Sequence, residues 1–172
     1  FVFSGPSHPS LAEKLCSYLP LPLGGAKVTT FSDGEIQIEI HENVRSKDVF
    51  VIQSTCAPVN DSLVELLLMI DAFKRSSARR ITAVVPYYGY ARQDKTFKAG
   101  EAVSARIAAR HLELDAQGIV TADIHTRKIL DYFQIKRVDI FPSREIGARL
   151  LKEGVEVVIA PDKGALERAT AV

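Results

Sequence analysis

The sequence predicts an α/β fold in which a mostly parallel sheet is flanked by helices. Short apolar runs alternate with amphipathic segments along the 172 residues, of which 47% are hydrophobic. Strands and helices that alternate in this way usually form a parallel sheet, because each helix carries the chain back to the start of the next strand. A second observation adds a polar β-hairpin: Ile36, Ile38 and Ile40 alternate with polar residues, which is the period of a half-exposed antiparallel strand.

The predicted strands are short apolar runs bounded by turn residues. Asp33 and Gly34 form a favourable hairpin turn between the second and third of them. In chain order we predict strands at residues 1–3, 27–31, 36–40, 49–52, 80–86, 117–122 and 155–160.

The predicted helices have apolar residues spaced three and four apart. The clearest is capped by Asn60 or Asp61 and has Lys74 and Arg75 in its last turn, where cations interact favourably with the helix dipole. The other helices are predicted at about residues 8–19, 101–114, 127–133 and 144–153, and from about 165 onward.

A joint is predicted at residues 141–143, where Pro142 interrupts the chain and Ser143 caps the next helix. We therefore expect a domain boundary near Pro142. Both ends of the sequence also indicate a truncated protein. The chain starts at Phe1, and it stops at Val172 inside a predicted helix that no glycine, asparagine or proline closes.

Charge and cysteine content narrow the class of partner. The chain has 22 basic and 21 acidic residues and a net charge of +1, so we expect neither nucleic acid nor a membrane as partner. No apolar run approaches the roughly 20 residues of a membrane helix. Cys16 and Cys56 lack metal-ligand spacing and are expected to be buried free thiols. Few cysteines and no signal peptide indicate the cytoplasm.

Three predicted strands end in polar residues. The run 80–86 leads into residues 87–95, the run 117–122 into residues 123–125, and the run 155–160 into residues 162–164. Ligands of open parallel sheets bind beyond the carboxyl ends of the strands. The pattern therefore predicts a ligand site formed by these three segments.

The segment 87–95 suits a phosphate-bearing ligand. Arg92 can donate two parallel hydrogen bonds and Lys95 can act as a point charge. Gly89 would let the backbone approach a ligand, and the neighbouring tyrosines offer stacking faces. Lys98 adds a cation near the helix N-terminus predicted at Glu101, which itself favours anions. A solvated turn is the alternative that these residues leave open.

Asp123 and His125 are two residues apart. If the strand continues, both project to one side and Ile124 points into the core. The carboxylate could then orient the imidazole or help to hold a cation, whereas a helix cap next to a hydrogen-bonded histidine is the alternative. Asp162, which is followed by Gly164 and a helix, could be a metal ligand or an N-cap.

Missing motifs disfavour three common sites. The sequence has no G-x-x-x-x-G-K-[ST] loop, no G-x-G-x-x-G after a strand, and no nucleophile elbow. A P-loop kinase, a dinucleotide site and an α/β-hydrolase are therefore disfavoured.

Five stretches, in order along nearly the whole chain, resemble one enzyme family. They are FSGPSHPSLAEKL, FSDGEIQIEI, the long run from DVFVIQSTCAPVNDSL to YYGYARQDK, TADIH and APDKGA. Together they resemble ribose-phosphate pyrophosphokinase, also called phosphoribosyl pyrophosphate synthetase. The resemblance implies two domains of the type I phosphoribosyltransferase-like fold, with the N-terminal domain at residues 1–142 and the start of a truncated second domain at residues 143–172.

The resemblance also implies a reaction that depends on ATP and Mg²⁺. The anomeric hydroxyl of ribose 5-phosphate attacks the β-phosphorus of ATP, and AMP leaves. Chemistry of this kind depends mainly on positioning and charge neutralisation. The family resemblance further implies a homo-oligomer whose subunits share the ATP sites.

Site residues follow from matching positions in the family motifs. The F-S-D-G-E hairpin of the family reaches the adenine site of a neighbouring subunit, so Phe31 would stack on the base. Arg92 and Gln93 match the second ATP-binding segment of the family. The ATP-binding residues implied in this way are Phe31, Asp33, Gly34, Glu35, Arg92, Gln93, Asp94 and Lys95.

The implied metal-site residues are His125 and Asp162, which match a magnesium-linked histidine and aspartate of the family. Because Mg²⁺ prefers oxygen ligands, Asp162 is the better candidate for direct ligation. His125 could instead bind a phosphate oxygen or a metal-bound water.

Two loops of the family pattern lie beyond Val172: the catalytic loop with Lys and Arg, and the loop that binds the sugar 5-phosphate. We therefore expect no catalytic residue in this chain and no activity from these 172 residues alone. The main alternative is a non-catalytic, synthetase-associated regulatory protein of the same fold, which would lack those loops. A phosphoribosyltransferase that consumes the product is weaker, because it leaves the F-S-D-G-E hairpin unexplained.

Overall fold

The fold is described by a computed structural model of residues 1–172. Its strands are β1 (Val2–Ser4), β2 (Leu23–Gly24), β3 (Ala26–Thr30), β4 (Ile36–Ile40), β5 (Asp48–Ile52), β6 (Arg80–Val85), β7 (Gly118–Ala122) and β8 (Lys136–Ile140). Its α-helices are α1 (Pro9–Tyr18), α2 (Val59–Arg75), α3 (Ser104–Leu112), α4 (Ser143–Lys152) and α5 (Leu166–Ala171). Two 3-10 helices cover Arg127–Tyr132 and Lys163–Ala165.

Six strands form one sheet in the order β2-β1-β5-β6-β7-β8. The pairs β1–β2, β1–β5, β5–β6 and β6–β7 are parallel. β3 and β4 form a separate antiparallel hairpin in which Thr30 pairs with Ile36. The predicted α/β class, with a mostly parallel sheet and a polar hairpin, is confirmed.

Helices cover both faces of this sheet. Val51 belongs to the large core cluster that includes Phe73 of α2, whereas the next residue, Ile52, belongs to a smaller cluster with Cys16 of α1. Successive side chains of a strand point to opposite faces. The central strands therefore contact helices on both sides, although burial is more complete on the α2 side, which explains why they are short continuous apolar runs in the sequence.

The chain divides into two compact units, Phe1–Asp139 and Ile140–Val172. The sheet helices α1, α2 and α3 belong to the first unit, and α4 and α5 belong to the second. None of the helices combines the length and the apolar character that crossing a bilayer requires.

One predicted strand is wrong and two strands were missed. Residues 155–160 pair with no strand, and five of the six are exposed. An apolar run cannot form a strand without a neighbour for its N–H and C=O groups. The missed strands are β2, which has only two residues, and β8, whose sequence KRVDI has three charged residues in five and so gives a weak apolar signal.

The predicted helix caps also need correction. α2 begins at Val59 and has no side-chain cap, so neither Asn60 nor Asp61 caps it. Ser143 is the first residue of α4 and forms no cap hydrogen bond. α3 begins at Ser104, three residues after the predicted start.

The two cysteines differ in burial. Cys16 is buried as predicted, and burial raises the pKa of its thiol. Cys56 is only partly buried, so the prediction is wrong for this residue. Both are free thiols.

Candidate functional site

The segments after β6 and β7 leave the sheet at the same edge. The two strands are parallel neighbours in which Val85 pairs with Thr121, and β7 ends at Ala122. Residues 86–95 and 123–125 therefore begin side by side at the carboxyl edge of the sheet. Residues 162–164 follow no strand and belong to the second compact unit.

Gly89 allows a close approach between two loops. Its N–H donates to Thr55 Oγ1 at 2.7 Å, and a Cβ at this position would lie 2.5 Å from the Thr55 carbonyl oxygen. The Thr55 hydroxyl in turn donates to the Tyr87 carbonyl at 3.1 Å. The prediction that Gly89 makes room for a ligand is therefore wrong, since the loop after β5 occupies that space.

The three tyrosines around Gly89 have different roles. Tyr88 is buried, and its hydroxyl donates to the Ala105 carbonyl at 3.0 Å. Burial raises the pKa of Tyr88 far above its usual range. The Tyr90 hydroxyl donates to Asn60 Oδ1. Tyr87 is 54% exposed and Tyr90 38%, so both keep the exposed rings that the sequence suggested.

The backbone of residues 93 and 94 is held by groups from other elements. The Gln93 carbonyl accepts from Ala105 N at 3.3 Å, and the Gln93 side-chain oxygen accepts from Ser104 Oγ at 2.6 Å. The Asp94 carbonyl accepts from the Tyr132 hydroxyl. Because its oxygen is engaged by Ser104, Gln93 can offer a ligand its amide N–H donors, which suit a phosphate oxygen.

The cations of this segment point into solvent. Arg92 and Lys95 are exposed, and the Lys95 ammonium lies 5.3 Å from the centroid of the Phe97 ring. The Glu101 carboxylate accepts from the N–H of Phe97 at 2.8 Å and of Lys98 at 3.0 Å, which fixes the loop. Because α3 begins at Ser104, the helix N-terminus predicted near Lys98 is wrong.

The segment after β7 turns sharply. Asp123 has φ +46°, so the extended geometry assumed for Asp123 and His125 ends with the strand. Ile124 is 3% exposed and belongs to the core, as predicted, while Asp123 and His125 lie at the surface.

Two further polar residues at this edge escaped the sequence analysis. Gln53 is fully buried: its oxygen accepts from Ser7 N at 3.1 Å and Ser7 Oγ at 2.8 Å, and its amide donates to Glu65 Oε2 at 2.6 Å. Burial raises the pKa of Glu65, and donation from Gln53 opposes the shift. Asp139 of β8 accepts from Thr121 and from the backbone of Ile124. No local pattern in the sequence connects these residues to partners 12 or more positions away.

The F-S-D-G-E hairpin holds its own shape. Phe31 N donates to the Glu35 carbonyl at 2.8 Å, and Gly34 N donates to the Phe31 carbonyl at 2.9 Å. Glu35 N donates to Asp33 Oδ1 at 3.1 Å, and Gly34 has φ +94°, which favours glycine. Phe31 is 53% exposed. The tip therefore presents one aromatic ring and two carboxylates that the core does not require.

Asp162 is an N-cap, which is one of the two roles that the sequence allowed for it beside that of a metal ligand. Its Oδ1 accepts from Ala165 N at 2.9 Å at the start of a 3-10 helix. No three His, Cys, Asp or Glu side chains of the chain converge to hold a metal ion by themselves. The carboxylate and imidazole at residues 123 and 125 suit Mg²⁺ only as part of a shared set, because this ion commonly takes substrate phosphates and waters as its other ligands.

These features define an α/β protein with an open parallel sheet, polar segments at the carboxyl edge of that sheet and a projecting aromatic hairpin. A family model described as the N-terminal domain of ribose phosphate pyrophosphokinase matches residues 1–115. The chain therefore belongs to the ribose-phosphate pyrophosphokinase family, and the resemblance predicted from its motifs is confirmed.

Individual relatives match almost the whole chain. The ribose-phosphate pyrophosphokinase of Burkholderia pseudomallei is 47% identical over 175 residues, which cover 99% of this chain and 55% of the relative. That of Clostridium perfringens is 47% identical over 98% of this chain and 54% of its own. The chain thus spans about half the length of these relatives.

A solved structure has the same fold. Phosphoribosylpyrophosphate synthetase from Mycobacterium smegmatis superposes with a TM-score of 0.93 at 38% identity, covering 98% of this chain and 58% of that one. The α/β fold of this chain, with a mostly parallel sheet and a small antiparallel hairpin, is therefore shared with this synthetase.

Proposed function

We propose that the protein containing this chain is a ribose-phosphate diphosphokinase, and that the chain supplies much of its ATP site. The observation that carries this proposal is the 47% identity to ribose-phosphate pyrophosphokinases over 99% of the chain. In the proposed reaction the anomeric hydroxyl of ribose 5-phosphate attacks the β-phosphorus of ATP, and AMP is released. We propose that the part of the protein outside these 172 residues is needed for turnover.

The hairpin supports a role in adenine binding. An exposed phenyl ring at a rigid tip offers a stacking face at low entropic cost, because local hydrogen bonds already fix the tip. Asp33 and Glu35 would accept hydrogen bonds from the adenine or its surroundings. We propose that the tip acts in a neighbouring subunit of a homo-oligomer.

The segment 92–95 supports a role in triphosphate binding. Arg92 and Lys95 are exposed cations, and Gln93 offers N–H donors beside them. Hydrogen bonds from α3 and from Tyr132 hold the backbone carbonyls of Gln93 and Asp94. Donors that are fixed before the ligand arrives stabilise developing charge without reorganisation.

We propose that His125 and Asp162 are each linked to Mg²⁺, which when bound neutralises the charge of the nucleotide phosphates. His125 would contact a phosphate oxygen or a metal-bound water. We propose a cytoplasmic protein, in line with its two free cysteines.

Kinetics of the full-length protein test the site assignment. Replacing Arg92 and Gln93 by alanine should lower kcat/KM for ATP by about 100-fold or more, because charge-assisted donors to phosphate are lost. Arg110, an exposed arginine of α3, is the matched control, and Arg110→Ala should leave AMP formation unchanged. Equal kinetics for the double variant and the wild type would contradict the assignment. A full-length wild type that forms no AMP from ATP and ribose 5-phosphate would favour a non-catalytic regulatory protein.

A further inference from the structure

The Asp139 carboxylate joins β8 to the turn that follows β7. One of its oxygens, Oδ1, accepts from Thr121 Oγ1 at 2.6 Å and from Ile124 N at 3.1 Å. Thr121 and Ile124 are 1% and 3% exposed. The donors of both hydrogen bonds are therefore buried, while Asp139 is half-buried, and a bond to a charged acceptor is stronger than one to a neutral group.

These bonds bracket a turn that the chain does not adopt readily. Asp123 lies between Thr121 and Ile124 and has φ +46°, a left-handed conformation that costs a residue with a Cβ some energy, although aspartate tolerates it better than most. Such a conformation persists only where the surroundings hold it. The Asp139 carboxylate holds the last buried side chain of β7 on one side of the turn and the backbone of Ile124 on the other.

His125 directly follows this fixed point. Ile124 fills the core and its N–H is held by Asp139, so the backbone of the next residue starts from a defined position. A displacement of about 1 Å at a group that contacts the reacting phosphates can lower the rate about 100-fold.

We infer that Asp139 is a positioning residue of the site: its carboxylate holds the turn at Asp123 and thereby places His125. The inference rests on the proposed function for the role of His125, and on the hydrogen bonds alone for the hold on the turn. Asp139 itself contacts neither the nucleotide nor the metal. It acts only through the segment 123–125.

Three variants of the full-length protein separate positioning from general stability. Asp139→Ala removes both hydrogen bonds. Asp139→Asn keeps an oxygen acceptor without the charge and should show a partial effect. Thr121→Val removes one buried hydrogen bond of the same carboxylate but keeps the bond to Ile124 N, so it is the matched control for lost stability.

The first measurement is amide hydrogen exchange without any ligand. Exchange in residues 123–125 should be about tenfold or more faster in Asp139→Ala, faster by a smaller factor in Asp139→Asn, and near wild type in Thr121→Val. Unchanged exchange at Ile124 in both Asp139 variants would overturn the inference. If Asp139→Ala does not fold, amide exchange in residues 123–125 is compared between Asp139→Asn and Thr121→Val. Faster exchange in Asp139→Asn supports the hold on the turn, and equal exchange overturns it.

The second measurement is the Mg²⁺ concentration for half-maximal AMP formation at saturating ATP and ribose 5-phosphate. It should rise about fivefold or more in Asp139→Ala, should stay near wild type in Thr121→Val, and should rise little further when His125→Ala is added to Asp139→Ala. Equal shifts in Asp139→Ala and Thr121→Val would overturn the positioning role. A wild type without turnover would refute the proposed function, and the exchange comparison would still decide whether Asp139 holds the turn.

Discussion

The hairpin tip at residues 31–35 and the segments at the carboxyl edge of the sheet are stabilised in opposite ways. The hydrogen bonds of the tip join residues no more than four positions apart. At the sheet edge, the bond from Gly89 to Thr55 spans 34 positions and that from Tyr132 to Asp94 spans 38. The tip is therefore a local structure, whereas the edge segments depend on the whole sheet and its helices.

This difference separates effects on binding from effects on folding. A side chain of the tip can be replaced with little change in stability, because only local backbone bonds define the tip. A residue of the edge segments cannot be replaced as freely, because each also joins two elements. The two regions should differ most clearly in how much the free energy of unfolding falls when Gly34 of the tip or Gly89 of the sheet edge is replaced.

Gly89→Ala should have the largest effect on stability. The new Cβ would lie 2.5 Å from Thr55 O and 2.9 Å from Val59 Cγ1. The backbone of Thr55 cannot shift easily to relieve this clash. We expect the free energy of unfolding to fall by about 2–4 kcal/mol, as for other overpacked core sites. Urea denaturation measures the loss, and wild-type stability in this variant would contradict the close approach.

Phe31→Ala should affect nucleotide binding without affecting stability. Loss of a stacked aromatic ring should raise KM for ATP by about tenfold or more, since stacking of a base on a side chain contributes about 1–3 kcal/mol. Steady-state kinetics of the full-length protein measure the change. Tyr18→Ala is the control, because Tyr18 is 85% exposed and lies on α1, and its kinetics should match the wild type.

Gly34→Ala should cost less than Gly89→Ala. A Cβ at Gly34 meets nothing within 4 Å, but φ is +94°, so only backbone strain opposes the side chain. We expect a loss of about 1 kcal/mol in the free energy of unfolding. If Gly34→Ala lowered the free energy of unfolding as much as Gly89→Ala does, backbone strain would not be the smaller of the two costs, and the account would be contradicted.

Asp48, at the amino end of β5, should give the smallest effect on stability, and this effect should be lost in acid. Hydrogen bonds from Arg79, then Arg80, outweigh partial burial and hold the pKa of Asp48 at about 2, below its ordinary 3.8. The depressed pKa means that this contribution to stability is complete above 3.8 and is lost as the pH falls toward 2. Wild type should therefore lose stability relative to Asp48→Asn over that range in pH-dependent denaturation. If the free energies of unfolding of the two proteins changed with pH in the same way, a stabilising interaction of Asp48 with Arg79 and Arg80 would be contradicted.

The sequence predicted best what local patterns determine. The β6 and β7 runs, the helix around Phe73 and the hairpin turn at Gly34 all have signals within a few residues. The roles of Gly89 and Asp139 could not be predicted, because each depends on a partner from another strand or loop. Residues 155–160 show the reverse error, since their apolar character predicts a strand but nothing in the chain pairs with them.

Mixing two impaired variants, assayed at an ATP concentration below the wild-type KM, tests most directly whether an ATP site combines the hairpin of one subunit with the segment 92–95 of another. Full-length Phe31→Ala and Arg92→Ala subunits would be unfolded, mixed in equal amounts and refolded together. If the site is shared, random assembly restores both wild-type parts in about a quarter of the sites, so AMP formation should recover to about a quarter of the wild-type rate. A mixture no more active than the average of the two variants would contradict the shared site.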